Sequence, residues 1–112
     1  MPEVTLSMYL SGPLTLQERF SLGVLWAIVF GPISRGYRPN YNEEELWYLV
    51  DRRTAGRMKA VLESRSWHTQ ECDTNRDTPE VQGMMAFVET AERTFDEFIL
   101  SVLEKVSRIE VV

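Results

Sequence analysis

The residues with the spacing of a metal site lie in one polar stretch of the chain. Asp73, Asn75 and Asp77 place oxygen ligands at alternate positions, as the first half of a calcium loop does. Thr78 stands where that loop needs its turn glycine, and Met84 stands where it needs its bidentate glutamate. Because the sharp turn and the strongest ligand are both missing, this stretch is predicted to be a polar loop before a helix, without a metal.

A second candidate site, the two reactive side chains His68 and Cys72, also has too few residues. Two ligands do not complete a structural zinc site, which needs four. A Cys-His nucleophilic pair needs a third group to orient the base, and the chain has one histidine. The sequence contains no serine-hydrolase elbow, zinc-peptidase motif or phosphate loop. We therefore predict a protein that is not an enzyme and holds no cofactor.

Length and composition indicate one folded domain over residues 1–112. The chain is 44% hydrophobic and 11% aromatic, which is enough to form a core. Its single cysteine excludes an internal disulfide and favours a reducing compartment. The longest apolar run, Leu22–Phe30, is much shorter than the roughly 20 residues that cross a bilayer. The N-terminus lacks the pattern of a signal peptide. We expect a cytoplasmic protein with no membrane segment.

The first two predicted elements are a strand and a helix. Apolar and polar residues alternate over Val4–Leu10, which is the period of a half-buried strand, and Gly12-Pro13 ends it. Thr15 and Glu18 form a capping box, whose side chains satisfy backbone donors at the start of a helix. The sequence therefore predicts a helix over Leu16–Phe30.

A second helix is predicted after an ordered loop over Gly31–Tyr41. Asn42 is a good N-cap, and Glu43–Glu45 place negative charge where the helix dipole favours it. Apolar residues keep helical spacing as far as Ser64. A break near Asp51–Arg53 would divide this helix in two.

The last helix is the longest. Thr78 and Pro79 form its predicted start, and apolar residues then recur at steps of three and four towards Ser107. The tail Ile109–Val112 alternates and is predicted to pair with the first strand. The expected fold is α+β and mostly helical, with an N-terminal strand, three helices and a short C-terminal strand. If the tail does not pair, the fold is nearly all α.

Charge is segregated along the chain, whose overall net charge is -5. Residues 52–65 carry five bases and one acid, whereas residues 80–110 carry seven acids and three bases. The two segments are expected to complement each other within the fold or across a symmetric dimer. The alternative is a nucleic-acid regulator, because the pattern from Glu45 to Trp67 resembles a helix-turn-helix. That resemblance implies nucleic-acid contacts by a set of four side chains. They are Arg52, Arg53, Arg57 and Lys59.

A third pattern favours protein binding. The loop before the second helix mixes tyrosine and arginine, a composition enriched at protein interfaces, and the first and last helices carry large aromatic residues. The predicted interface residues are Trp26, Phe30, Tyr37, Arg38, Tyr41, Phe95 and Phe98. We expect a noncatalytic adaptor, regulator or inhibitor that binds a protein partner. The chain itself is expected to form a homo-oligomer, such as a homodimer, through its first and last helices. Compact acidic accessory proteins of viruses and phages often act in this way.

Overall fold

The computed structural model describes residues 3–30, 34–39, 44–65, 78–88 and 92–112. Within these residues the chain forms four strands and four helices. In chain order they are β1 (Glu3–Leu10), α1 (Leu16–Phe30), β2 (Ser34–Pro39), β3 (Glu44–Asp51), α2 (Arg52–Ser64), α3 (Pro79–Val88), α4 (Phe95–Lys105) and β4 (Val106–Val111). None of the described helices is both long and apolar enough to span a bilayer.

The strands form one four-stranded antiparallel sheet in the order β2-β3-β1-β4. Because β2 and β1 are each antiparallel to β3, they run in the same direction on either side of it. The sheet therefore has the split β-α-β arrangement, in which a strand inserts between two parallel neighbours. The second half of the chain places α2, α3 and α4 before the last strand.

One face of the sheet forms the floor of the hydrophobic core. Leu6, Met8 and Leu10 of β1 are completely buried, as the alternating sequence predicts. The register sets Leu6 opposite Tyr48 and Met8 opposite Leu46 on β3. Since residues opposite each other in a sheet share a face, the apolar residues of both central strands lie together.

The helices cover this core face. Trp26 of α1 meets Tyr48 of β3 edge-on, with ring centroids 6.2 Å apart. The guanidinium of Arg57 in α2 lies 4.9 Å from the ring centroid of Phe30 in α1. α1 packs in turn against α3 and α4. All four helices are therefore on one side, and the described residues leave the opposite face of the sheet uncovered.

The predicted capping box at the start of α1 is confirmed. The Thr15 N–H donates to Glu18 Oε1 at 2.9 Å, and the Glu18 N–H donates to Thr15 Oγ1 at 3.1 Å. These reciprocal bonds satisfy two backbone donors that the helix itself leaves unpaired. The boundaries of α1 also match the predicted range of Leu16–Phe30.

The prediction of a helix beginning at Asn42 is wrong for its first half. Glu44–Asp51 is strand β3, bonded to β1 on one side and β2 on the other, whereas Asn42 lies outside the described residues. The run Trp47–Val50 is rich in residues that favour strands, and its pairing on both sides overrides the helical spacing. The break expected near Asp51–Arg53 is the point where β3 becomes α2.

The loop predicted over Gly31–Tyr41 contains a strand. Ser34–Pro39 is β2, which pairs with β3 at the edge of the sheet. Its glycine, its proline and its two arginines give no alternating pattern, so only the neighbouring strand reveals its conformation.

The prediction of one long helix to Ser107 is also wrong. α3 ends at Val88, and α4 begins separately, with Thr94 as an N-cap that accepts from the Glu97 N–H at 3.3 Å. Two helices separated by a break can keep the same apolar period, because the period does not show whether the helix axis changes direction. The predicted C-terminal strand is confirmed, since β4 pairs with β1.

A partly buried ion pair joins the start of α1 to the end of α4. Lys105 Nζ lies 2.8 Å from Glu18 Oε1 and donates to the Pro13 carbonyl at 3.2 Å. Burial by itself raises the pKa of the Glu18 carboxyl. The hydrogen bonds from Lys105 and Thr15 and the positive charge of Lys105 outweigh this effect, so the pKa of Glu18 lies below its ordinary value of 4.5.

We expect Lys105→Met to lower the free energy of unfolding by about 2 kcal/mol at pH 7, because it leaves the buried Glu18 carboxylate without its cation. Since folding lowers the pKa of Glu18, the contribution of the pair is present above pH 4.5 and is lost as the pH falls through the folded-state pKa. Urea unfolding should therefore show a difference in unfolding free energy between wild type and variant that is smaller in acid than at pH 7.

The matched control is Lys59→Met, which removes an exposed pair with Glu63 at 3.6 Å. This change should alter the unfolding free energy by less than about 0.5 kcal/mol, because solvent screens the pair. Equal losses in the two variants would contradict a stabilising role for Glu18 and Lys105.

Candidate binding surface on the open face of the sheet

The face of the sheet opposite the helices, here called the open face, is organised in three rows across the strands. The strand register gives each row in the order β2, β3, β1, β4. The rows are Ser34, Leu49, Thr5 and Val112; Gly36, Trp47, Ser7 and Glu110; and Arg38, Glu45, Tyr9 and Arg108. The open face therefore has an apolar end, a central tryptophan and a charged end.

The central row is built around the indole of Trp47. This ring lies over Gly36 on the adjacent strand, and a Cβ atom at Gly36 would overlap three atoms of the indole. On the other side, Trp47 is opposite Ser7, another small residue. An aromatic ring that covers a glycine on an edge strand is a known way of stabilising that edge. Trp47 thus has a structural role even though it is only half-buried.

The apolar end of the open face is accessible. Leu49 is 37% exposed, and Val112 at the far side of the same row is 85% exposed. Thr5 lies between them and is half-buried. A large apolar side chain in the middle of a sheet normally faces the core, so exposure of Leu49 next to Trp47 marks a surface suited to a partner.

The charged end is held together by three contacts. The Arg108 guanidinium lies 4.1 Å from the centroid of the Tyr9 ring, a cation-π arrangement. Arg108 Nε is 3.6 Å from Glu110 Oε1, and the Tyr9 hydroxyl donates to Glu110 Oε2 at 3.3 Å. Because each side chain contacts the other two, their positions on the surface are restricted.

Acidic side chains outnumber basic ones at the described positions on this side. The register places four acids there, Glu3, Glu45, Asp51 and Glu110, and two bases, Arg38 and Arg108. The Thr54 backbone and hydroxyl both donate to the Asp51 carboxylate, and these bonds lower the pKa of Asp51. Acids therefore outnumber bases on the open face, although Glu45 among them is buried.

No family model matches this sequence, and no curated protein or solved structure is significantly similar to it. The chemistry of the open face is thus the direct guide to what it binds.

Three of the predicted interface residues are in the core. Trp26 and Phe95 are completely buried, and Phe98 is nearly so. Their rings cannot reach a partner in this fold, so the surface they were expected to form is not present. Phe30 is half-buried, with its ring centroid 5.9 Å from that of Trp26 and the Arg57 guanidinium above it.

The loop residues of the predicted interface have different positions. Tyr37 pairs with Leu46 in the register of the core face, and Arg38 pairs with Glu45 in the register of the open face. Tyr41 lies outside the described residues. Arg38 is thus the one predicted interface residue that the register places on the open face.

The helix-turn-helix interpretation is wrong in its geometry. Its first helix would include Glu45 and Leu49, which belong to β3. The basic residues do lie on α2, where Arg52 and Arg53 are exposed and Lys59 forms an ion pair with Glu63. Because a strand directly precedes it, α2 is not the second helix of the predicted motif.

The candidate metal and nucleophile residues lie outside the described residues. They are His68, Cys72, Asp73, Asn75 and Asp77. Among the described residues, no three His, Cys, Asp or Glu side chains are grouped closely enough to hold a metal ion.

The residues that form the open face were missed by the sequence analysis. Trp47 and Leu49 were assigned to a helix, and Tyr9 and Arg108 were given no role. The signal in the sequence was the run Leu46–Val50, five consecutive apolar residues bounded by acids. A short continuous apolar run of this kind suits a strand as well as a helix, and the difference between its two faces appears only in the burial of the folded chain.

Proposed function

We propose that this protein is a noncatalytic protein-interaction module, an adaptor, regulator or inhibitor that binds a partner protein with its open face. The observation that supports this function is the accessible apolar group around Trp47 and Leu49 on a sheet face that the described residues leave uncovered. Tryptophan, tyrosine and arginine are the residues most enriched at the energetic centres of protein interfaces.

The charge of the open face favours a protein partner over a nucleic acid. The register places four acids and two bases, Arg38 and Arg108, on this face, and the whole chain has a net charge of -5. Nucleic-acid affinity depends on basic side chains that neutralise phosphates. We therefore expect a partner surface with an apolar centre that contacts Leu49 and Trp47 and with basic residues around it.

Site-specific photocrosslinking tests this proposal. A photoreactive amino acid at Leu49 should capture a partner in cells, whereas the same amino acid at Leu16, which is 76% exposed at the start of α1, should not. The captured protein is then purified and titrated with wild type and variants. Leu49→Lys should weaken its binding at least about tenfold, because it places a cation at the centre of an apolar contact with a basic rim.

The control variant is Leu16→Lys, which should bind the captured protein as wild type does. Far-UV circular dichroism establishes that both variants are folded. Binding by Leu49→Lys at wild-type strength would contradict the proposal. Crosslinking of Leu49 to single-stranded RNA or DNA would also contradict it, since aromatic residues on an open sheet can stack on bases.

A further inference from the structure

β4 is an edge strand whose outer side has no neighbour among the described strands. β1 is its hydrogen-bonded neighbour on the inner side. A free edge presents backbone N–H and C=O groups that can pair with a strand from another chain. Charged side chains on an edge strand often block such pairing, but the two on β4, Arg108 and Glu110, are opposite in sign and can complement each other across a symmetric interface.

The hydrogen bonds between β1 and β4 show which backbone groups point outward. Thr5 and Val112 exchange two N–H···O bonds, at 3.0 and 2.9 Å. Bonded and non-bonded pairs alternate along an antiparallel ladder, so Glu110 and Arg108 are also the residues bonded to β1. The N–H and C=O of Ile109, which lies between them, therefore point away from β1.

We propose that a second copy of this chain pairs with β4 as an added antiparallel strand, about a two-fold axis at Ile109. In this register, Ile109 and the partner's Ile109 exchange both outward backbone hydrogen bonds. Arg108 lies opposite the partner's Glu110, and Glu110 lies opposite the partner's Arg108. The same two residues thus form two ion pairs across the dimer, which is the self-complementarity that a two-fold interface requires.

The charges select this register over its neighbours. Moving the axis by one residue towards the start of β4 places Arg108 opposite the partner's Arg108. Moving it by one residue towards the end places Glu110 opposite the partner's Glu110. Like charges directly opposite each other destabilise a strand pair, whereas opposite charges stabilise it. Larger shifts leave few residues of this six-residue strand to pair.

The dimer would have a continuous eight-stranded sheet. Because the two-fold axis is perpendicular to the sheet, both sets of helices lie on one side and both open faces lie on the other. Five strand spacings separate the two copies of β3, which places the Trp47 residues about 24 Å apart across the sheet. The pairing uses backbone groups of β4 and the side chains of Arg108 and Glu110 at the charged end of the open face, and it does not depend on the apolar contact proposed for Leu49 and Trp47.

Analytical ultracentrifugation tests the proposal directly. A single strand pair buries little area, so we expect a reversible dimer, with a mass approaching twice 13.0 kDa as the concentration rises from about 1 µM to 1 mM. A mass of one chain throughout this range would overturn the proposal.

Charge exchange tests the register. Arg108→Glu places two acids opposite each other at both pairs, and Glu110→Arg places two bases there. Each variant alone should raise the dissociation constant at least about tenfold, because two attractive pairs become repulsive. An equal mixture of the two variants should form a heterodimer, since every cross-strand pair is again between opposite charges.

Ile109→Pro provides a second variant that does not depend on charge. It removes the central outward N–H without removing a hydrogen bond to β1, so it should give a folded monomer. Circular dichroism establishes folding for every variant. If all three single variants dimerise as strongly as wild type, the interface is not at β4. If the mixture of the two charge variants fails to associate, this register is excluded.

Discussion

Phe95→Asp is expected to unfold the protein. Phe95 is completely buried at the start of α4, where it packs in the core formed with α1 and the sheet. Truncating a buried phenylalanine costs about 3–5 kcal/mol, and an aspartate there must also bury a charge or disrupt the packing to reach water. Because small domains are stable by only about 5–15 kcal/mol, this loss should abolish the thermal transition seen by circular dichroism.

The matched control is Leu100→Asp on the same helix. Leu100 is 49% exposed, so this variant should retain the fold and melt within a few degrees of wild type. A folded Phe95→Asp variant would contradict the position of α4. It would instead support the interpretation of Phe95 as a surface residue of a helical dimer.

Gly36→Ala is expected to displace the Trp47 indole from the open face. A Cβ atom at Gly36 would overlap the indole, so the ring must move or the edge of the sheet must shift. Overpacking of this kind costs about 1–3 kcal/mol. Urea unfolding should show this loss of unfolding free energy. In a Trp47→Thr background the same Gly36→Ala change should lower the unfolding free energy only slightly, because the overlapping ring is gone.

Gly56→Ala is the control for this substitution. Gly56 is exposed in the middle of α2, and an added Cβ meets no atom within 4 Å. The change should stabilise the protein by up to about 1 kcal/mol, because alanine is the better helix former. The change in the free energy of unfolding caused by glycine-to-alanine substitution is thus expected to have opposite signs at the two positions. A stabilising Gly36→Ala would mean that the indole does not lie over β2.

The two proposals use different parts of the molecule, the apolar group of Leu49 and Trp47 on the open face and the edge strand β4. Leu49→Lys should affect partner binding and leave self-association unchanged, because Leu49 lies two strands from the β4 edge. Arg108→Glu should affect self-association first. If both proposals are correct, the dimer presents two copies of one binding surface side by side, which increases the affinity for a partner that is itself dimeric.

The sequence by itself determined the elements that depend on nearby residues. The alternation over Val4–Leu10 identifies β1, and the capping box of Thr15 and Glu18 fixes the start of α1. The alternating tail correctly predicts β4. In each case the physical signal, a cap or a period of two, lies within a few residues of the element itself.

The tertiary structure decided the identity of β3 and the existence of the open face. The apolar residues of Glu44–Asp51 suit a helix or a strand, and pairing with β1 and β2 selects the strand. The proposed binding surface depends on register, which joins residues far apart in the chain, such as Tyr9 and Glu110 at a separation of 101 positions. Local periodicity contains no information about such pairs, so only the assembled sheet could bring Trp47, Tyr9 and Arg108 together on one face.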